Sequence, residues 1–172
     1  MPNPWIAGID DIFDIATPLG MVAEAEGYVL SFPPALIIAR YLTGNFSSIT
    51  IPTNLQDWPL YVGYMPDDTR RNAGAVYDTV GLLDGRIMRT GEVIEHPGIQ
   101  IKVRSLGYET GYQKAREVVV YLDALINELV TIQQKNFMIK NASRSSMIAS
   151  LGLDEKNNHN FTVNYTTTIK EV

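Results

Sequence analysis

The sequence predicts an α+β fold: a mainly antiparallel sheet covered by one long helix, with a helical segment at the N-terminus. Two stretches carry most of this reading. Over residues 99–104, Ile99, Ile101 and Val103 alternate with Gln100, Lys102 and Arg104, so one side of a strand meets a core and the other is wet. Over residues 108–132, Tyr112, Ala115, Val119, Leu122, Ile126 and Leu129 step by three and four along one stripe, the spacing of a helix that covers a sheet or a partner. The order of helices, strands, one long helix and strands then describes a single domain over residues 1–172, divided into a helical part (1–44) and a sheet with the long helix (45–172).

The remaining elements follow in chain order. Residues 6–30 have helical spacing, with Ile9, Phe13 and Ala16 before Pro18 and Leu19, Val22 and Ala23 after it, and Pro18 divides them into two pieces. Pro33-Pro34 can start a helix, residues 35–42 have the composition of one, and Gly44-Asn45 stops it. Residues 48–51 and 60–64, rich in β-branched and aromatic side chains and bounded by Pro52, Pro59 and Pro66, read as strands. Residues 76–83 and 85–90 read as two more, joined by a tight turn at Asp84-Gly85. After the long helix come apolar stretches at 137–139 and 145–151, a polar turn at 157–160, and an alternating strand at 161–169.

Composition narrows the function. With 172 residues, 45% hydrophobic, the chain holds enough apolar material for one ordinary core. A net charge of -5 and a pI near 5.0 argue against phosphate-driven binding of nucleic acid. The absence of cysteine removes disulfides, thiolate nucleophiles and cysteine-ligated metals. The first residues lack the basic and apolar regions of a signal peptide, and no apolar stretch approaches a bilayer span, so a soluble, non-exported protein without membrane contact is expected.

A catalytic reading finds little support. His96 precedes Pro97, which holds it extended in a turn leading into a strand, and His159 lies in an Asn-rich turn. Asp67-Asp68 offers too few oxygens for a hard cation, and Asp10, Asp11 and Asp14 suit the start of a helix, where the dipole favours acidic groups. Phosphate-cradling, zinc-protease and serine-hydrolase motifs do not occur. No catalytic residue, metal or cofactor is therefore expected. The polar side of the 99–104 strand remains. Gln100, Lys102 and Arg104, with Arg86 and Arg89 near them, can pair with carboxylates of a neighbouring subunit, contact phosphates, or simply face solvent.

The run from Leu60 through Tyr61, Gly63, Tyr64, Met65, Pro66, Asp67 and Asp68, then Val76-Tyr77-Asp78-Thr79-Val80-Gly81, Arg86-Ile87-Met88-Arg89-Thr90-Gly91-Glu92 and His96-Pro97-Gly98-Ile99-Gln100-Ile101-Lys102-Val103-Arg104, resembles the phage minor capsid or tail terminator family. The likeness covers about residues 33–132; its most specific part is the segment from Pro97 to Arg104 followed by Tyr108 and Tyr112 on a helix. Val80 stands where a second glycine of a Thr-Gly-Gly turn would be expected. The resemblance implies a small α/β virion protein of the head-tail junction, made in the host cytoplasm. It would form a ring, commonly a hexamer, on the last ring of tail tube protein, ending tube growth and docking to a head-side neck or connector protein while genomic DNA passes through the lumen. The alternative from the same biology is another neck protein, of the head-closure or tail-completion kind, which would share the small α/β character but whose ring would bind the portal side rather than the tube. A ligand-binding enzyme domain is the alternative from a different class and would need a convergent polar pocket.

Overall fold

A computed structural model describes residues 30–45, 58–67, 72–86 and 93–172. Among them the chain forms α1 (Pro34–Asn45), β1 (Leu60–Val62), β2 (Ala73–Arg86), β3 (Val93–Ser105), α2 (Tyr108–Asp123), β4 (Ile126–Ile132), β5 (Lys135–Arg144), β6 (Ala149–Leu153) and β7 (His159–Glu171). The expected helix at Pro33-Pro34 is α1, whose first free N–H groups are met by the Pro33 carbonyl and, at Ala35, by the Asp78 carboxylate 2.8 Å away on β2. The expected helices at 6–30 and the strand at 48–51 lie outside the described residues.

The seven strands form one sheet in the order β1-β2-β3-β7-β5-β4, with β6 also on β7. β1 and β2 are parallel and every other pair is antiparallel, so the sheet is mainly antiparallel, as expected, with one parallel pair at its edge. Ile99, Ile101 and Val103 of β3 are buried and share one core with Ile37, Ile38 and Leu42 of α1, Val118 and Leu122 of α2, and Phe137, Phe161 and Tyr165. Two helices therefore contribute to this core in place of one.

The long helix is also shorter than its spacing suggested. α2 ends at Asp123, and residues 126–132 turn back as a strand against β5. The Ala124 and Leu125 N–H groups close the helix onto the Val120 and Leu122 carbonyls, and Asn127 has φ +54, a left-handed conformation that a helix cannot pass through. A stepping of three and four is also satisfied by β-branched strand residues, and only local backbone chemistry ends the helix. Gly111, Ala115, Val118, Val119 and Leu122 form its buried stripe, whereas Tyr112, Ile126 and Leu129 are exposed.

The turn expected at Asp84-Gly85 is a strand irregularity instead. β2 runs unbroken to Arg86, with register shifts at Thr79/Leu82 and Leu83/Gly85, and β3 pairs antiparallel with it from Val93. His96 and Pro97 likewise lie within β3 rather than ahead of it. Proline lacks the N–H a ladder requires, and the first register shift falls opposite it, where a strand tolerates that loss. The polar turn expected at 157–160 is made by Asp154 to Asn158: the Asp154 carboxylate accepts from the Lys156 and Asn158 N–H groups, and His159 and Asn160 already belong to β7.

Candidate functional site

Alternation along β3 turns Gln100, Lys102 and Arg104 away from the core. Their cross-strand partners are Tyr77, Ala75 and Ala73 on β2 and Asn164, Thr162 and Asn160 on β7. Gln100 donates to the Asn164 side chain at 3.1 Å, and Gln100 and Lys102 remain partly exposed. The face is built largely of amides and hydroxyls, tied by contacts such as Ser145 to Thr166 at 3.0 Å and the Asn164 N–H to Ser146 Oγ at 3.0 Å.

Arg104 departs from the wet position expected for it. Only 5% exposed, it donates from Nη1 to the Pro66 carbonyl at 2.9 Å, beneath the loop that follows β1. A second small cluster of Tyr61, Ala73 and Ala75, with Met65 and Tyr77 against it, lies at this end of the face. Lys156 holds the same loop from outside through the Asp67 carbonyl and carboxylate, at 3.0 and 2.9 Å. A strict alternation of polar residues cannot reveal that a distant loop folds over one of them. Arg86 ends β2, opposite Val93 and about seven residues along β3 from Gln100, on the order of 23 Å at strand rise; its side chain and Arg89 lie outside what is described.

The second feature was not anticipated. Beyond Gly98, β2 and β3 leave β7 and continue as a two-stranded arm. At its root His96 links three strands, with Nε2 2.8 Å from Asp84 Oδ2 on β2 and Nδ1 2.9 Å from Thr168 Oγ1 on β7. Gly81 and Gly98 cross so closely that a Cβ on either would meet backbone of the other strand. Beside this crossing lies a cleft of about 630 Å³, bounded by Leu30 to Pro34 on one side and by residues 78–83 and 95–98 on the other. Val80, Leu82 and Leu83 on its rim are 98%, 62% and 72% exposed.

An aspartate, a histidine and a hydroxyl in line are the parts that activate a nucleophile in hydrolases. Here the hydroxyl belongs to Thr168 within β7, and the three groups join three strands. His159, the other histidine, opens β7 with its ring against Tyr108 at 5.4 Å. Among the described residues no cluster of three or more His, Asp or Glu side chains could hold a metal ion, and no helix is long and apolar enough to cross a membrane.

Residues 44–171 match the model of the bacteriophage tail terminator protein family, a stretch that takes in every strand described above. The chain belongs to that family. It is thus a structural protein of the phage virion, and what matters in a tail terminator is the surfaces it offers to other tail and head proteins. The match leaves nearly all of α1 outside it. No curated protein matches the chain.

Proposed function

We propose that this tail terminator closes into a homomeric ring, a hexamer, that caps the tail tube. The ring ends tube growth and docks the tail to a head-side neck protein while the genome passes through its lumen. The observation that carries this reading is the family match over the whole sheet. Supporting it, α1 and α2 both join the core on one face of the sheet, and the other face is left to amide and hydroxyl groups that suit a wet protein contact. Gln100 and Lys102 contribute to the contact with a neighbouring copy, together with Arg86 at the end of β2 and with Arg89. Arg104 acts one step behind them, fixing the loop at Pro66 against which a neighbour rests. The net charge of -5 favours free passage of DNA, because few cations are available to retain phosphates. No cofactor or metal enters this function.

The test has two parts. Native mass of the purified chain should give one closed oligomer, and phage lacking the protein should make tails of uncontrolled length that do not join heads, rescued by supplying it. A monomer at tens of micromolar together with normal tails in its absence would overturn the reading.

A further inference from the structure

We propose that copies of this chain join head to tail, with β6 of one copy seated in the cleft beside the β2–β3 arm of the next. This rests on the ring reading above and adds a second contact to the one proposed there for the polar face of β3. Among the described residues, each half of the joint is exposed. On one side, β1 pairs only with Gly74 to Val76, so among the described residues the outer edge of β2 from Tyr77 onward has no strand beside it. The adjacent cleft carries Val80, Leu82 and Leu83, all largely exposed, and a two-stranded arm gains stability when such residues are covered. On the other side, among the described residues β6 pairs only with β7, and Met147, Leu151 and Leu153 are 84%, 57% and 56% exposed.

Two properties make a second copy the occupant. First, the surfaces are unlike and far apart on the sheet: an apolar cleft beside the outer part of β2, and an exposed apolar strand, β6, across β7 and at the opposite end of it. A head-to-tail contact uses such a pair, and a two-fold contact would leave both unmatched. Second, strand direction is correct. β2, β3, β7 and β6 alternate in direction, so β6 runs opposite to β2. Copies related by rotation about a ring axis keep their polarity, and β6 then meets the next β2 antiparallel. The diagonal offset requires the strands to tilt against the axis, as in any closed barrel.

Because the chain has no cysteine, introduced thiols report this joint alone. Single variants Val80→Cys, Leu83→Cys, Leu151→Cys and Leu153→Cys are made at exposed positions, and melting curves identify those that fold as the parent does. Mild oxidation of an arm variant mixed with a β6 variant should give covalent dimers containing one of each. A chain carrying both thiols should give a ladder of bands ending at the ring's copy number. Rings by native mass with no cross-link in any of the four pairings, or a single variant linking to itself, would overturn this joint and leave the ring standing. A chain that is monomeric by native mass would overturn the ring and the joint together.

Discussion

Replacing Leu122 and Leu129 by alanine, one at a time, separates two accounts of residues 108–132. Spacing alone sets both on the same buried helical stripe, whereas the structure buries Leu122 completely on α2 and leaves Leu129 55% exposed on β4. Alanine keeps helix propensity at position 122, so the loss there comes from apolar burial and the cavity left behind, about 2 to 5 kcal/mol. At position 129 less than half of the side chain leaves water, and the loss should stay below about 1 kcal/mol. With a urea dependence of about 2 kcal/mol per molar, Leu122→Ala should lower the unfolding midpoint by roughly 1 to 2.5 M and Leu129→Ala by under about 0.5 M. Chemical unfolding followed by circular dichroism measures both, with similar slopes showing that the same transition is compared. Equal, large shifts would refute the break at Asp123 and restore the single long helix.

Three further measurements probe other links. Tyr165 is buried and donates to Asp123 Oδ1 at 3.0 Å, so Tyr165→Phe should cost about 1 kcal/mol, the carboxylate being partly solvated. Burial, with the Asp123 carboxylate second, raises the phenol above its ordinary 10.0; the unfolded chain ionises first, stability falls as pH rises past about 10, and Tyr165→Phe should lessen that fall. The Lys135 ammonium and Ser31 hold the Glu171 carboxyl down to about 2, from an ordinary 4.5. Its contribution is present above 4.5 and lost as pH falls toward 2, and Glu171→Gln should flatten the melting temperature over that window; an unchanged profile would remove the effect. Gly81→Ala drives a Cβ into the His96 carbonyl and should destabilise by about 1 to 3 kcal/mol, whereas Gly44→Ala meets open space and should be neutral or better, both read from thermal unfolding.

Where an element's own residues decide its structure, the sequence sufficed. The alternation of Ile99, Ile101 and Val103 identifies the side of β3 that is buried, and Pro33-Pro34 with Gly44 brackets α1 closely. The misreadings arise where tertiary partners decide. Asp84-Gly85 has the composition of a hairpin turn, yet β2 continues through it, with Asp84 against His96 of the paired strand. Ile126 and Leu129 fit a helical period and a strand equally well, and a left-handed Asn127 decides between them.

The site divides along the same line. Gln100, Lys102 and Arg104 could be assigned to one face because alternation is local, but the burial of Arg104 depends on Pro66, 38 residues earlier, which no period in β3 can encode. The root of the arm is less legible still, since His96 finds its partners 12 and 72 residues away and each of the three residue types is ordinary alone. Hydrophobicity also misleads here. Val80, Leu82 and Leu83 would be counted toward a core by composition, yet they are among the most exposed apolar groups described. A core residue and a docking residue share the same chemistry and differ only in whether the chain itself supplies the covering atoms. In a protein whose work is assembly, that difference is where function is read, and it becomes visible only when the strands have been placed and their free edges identified.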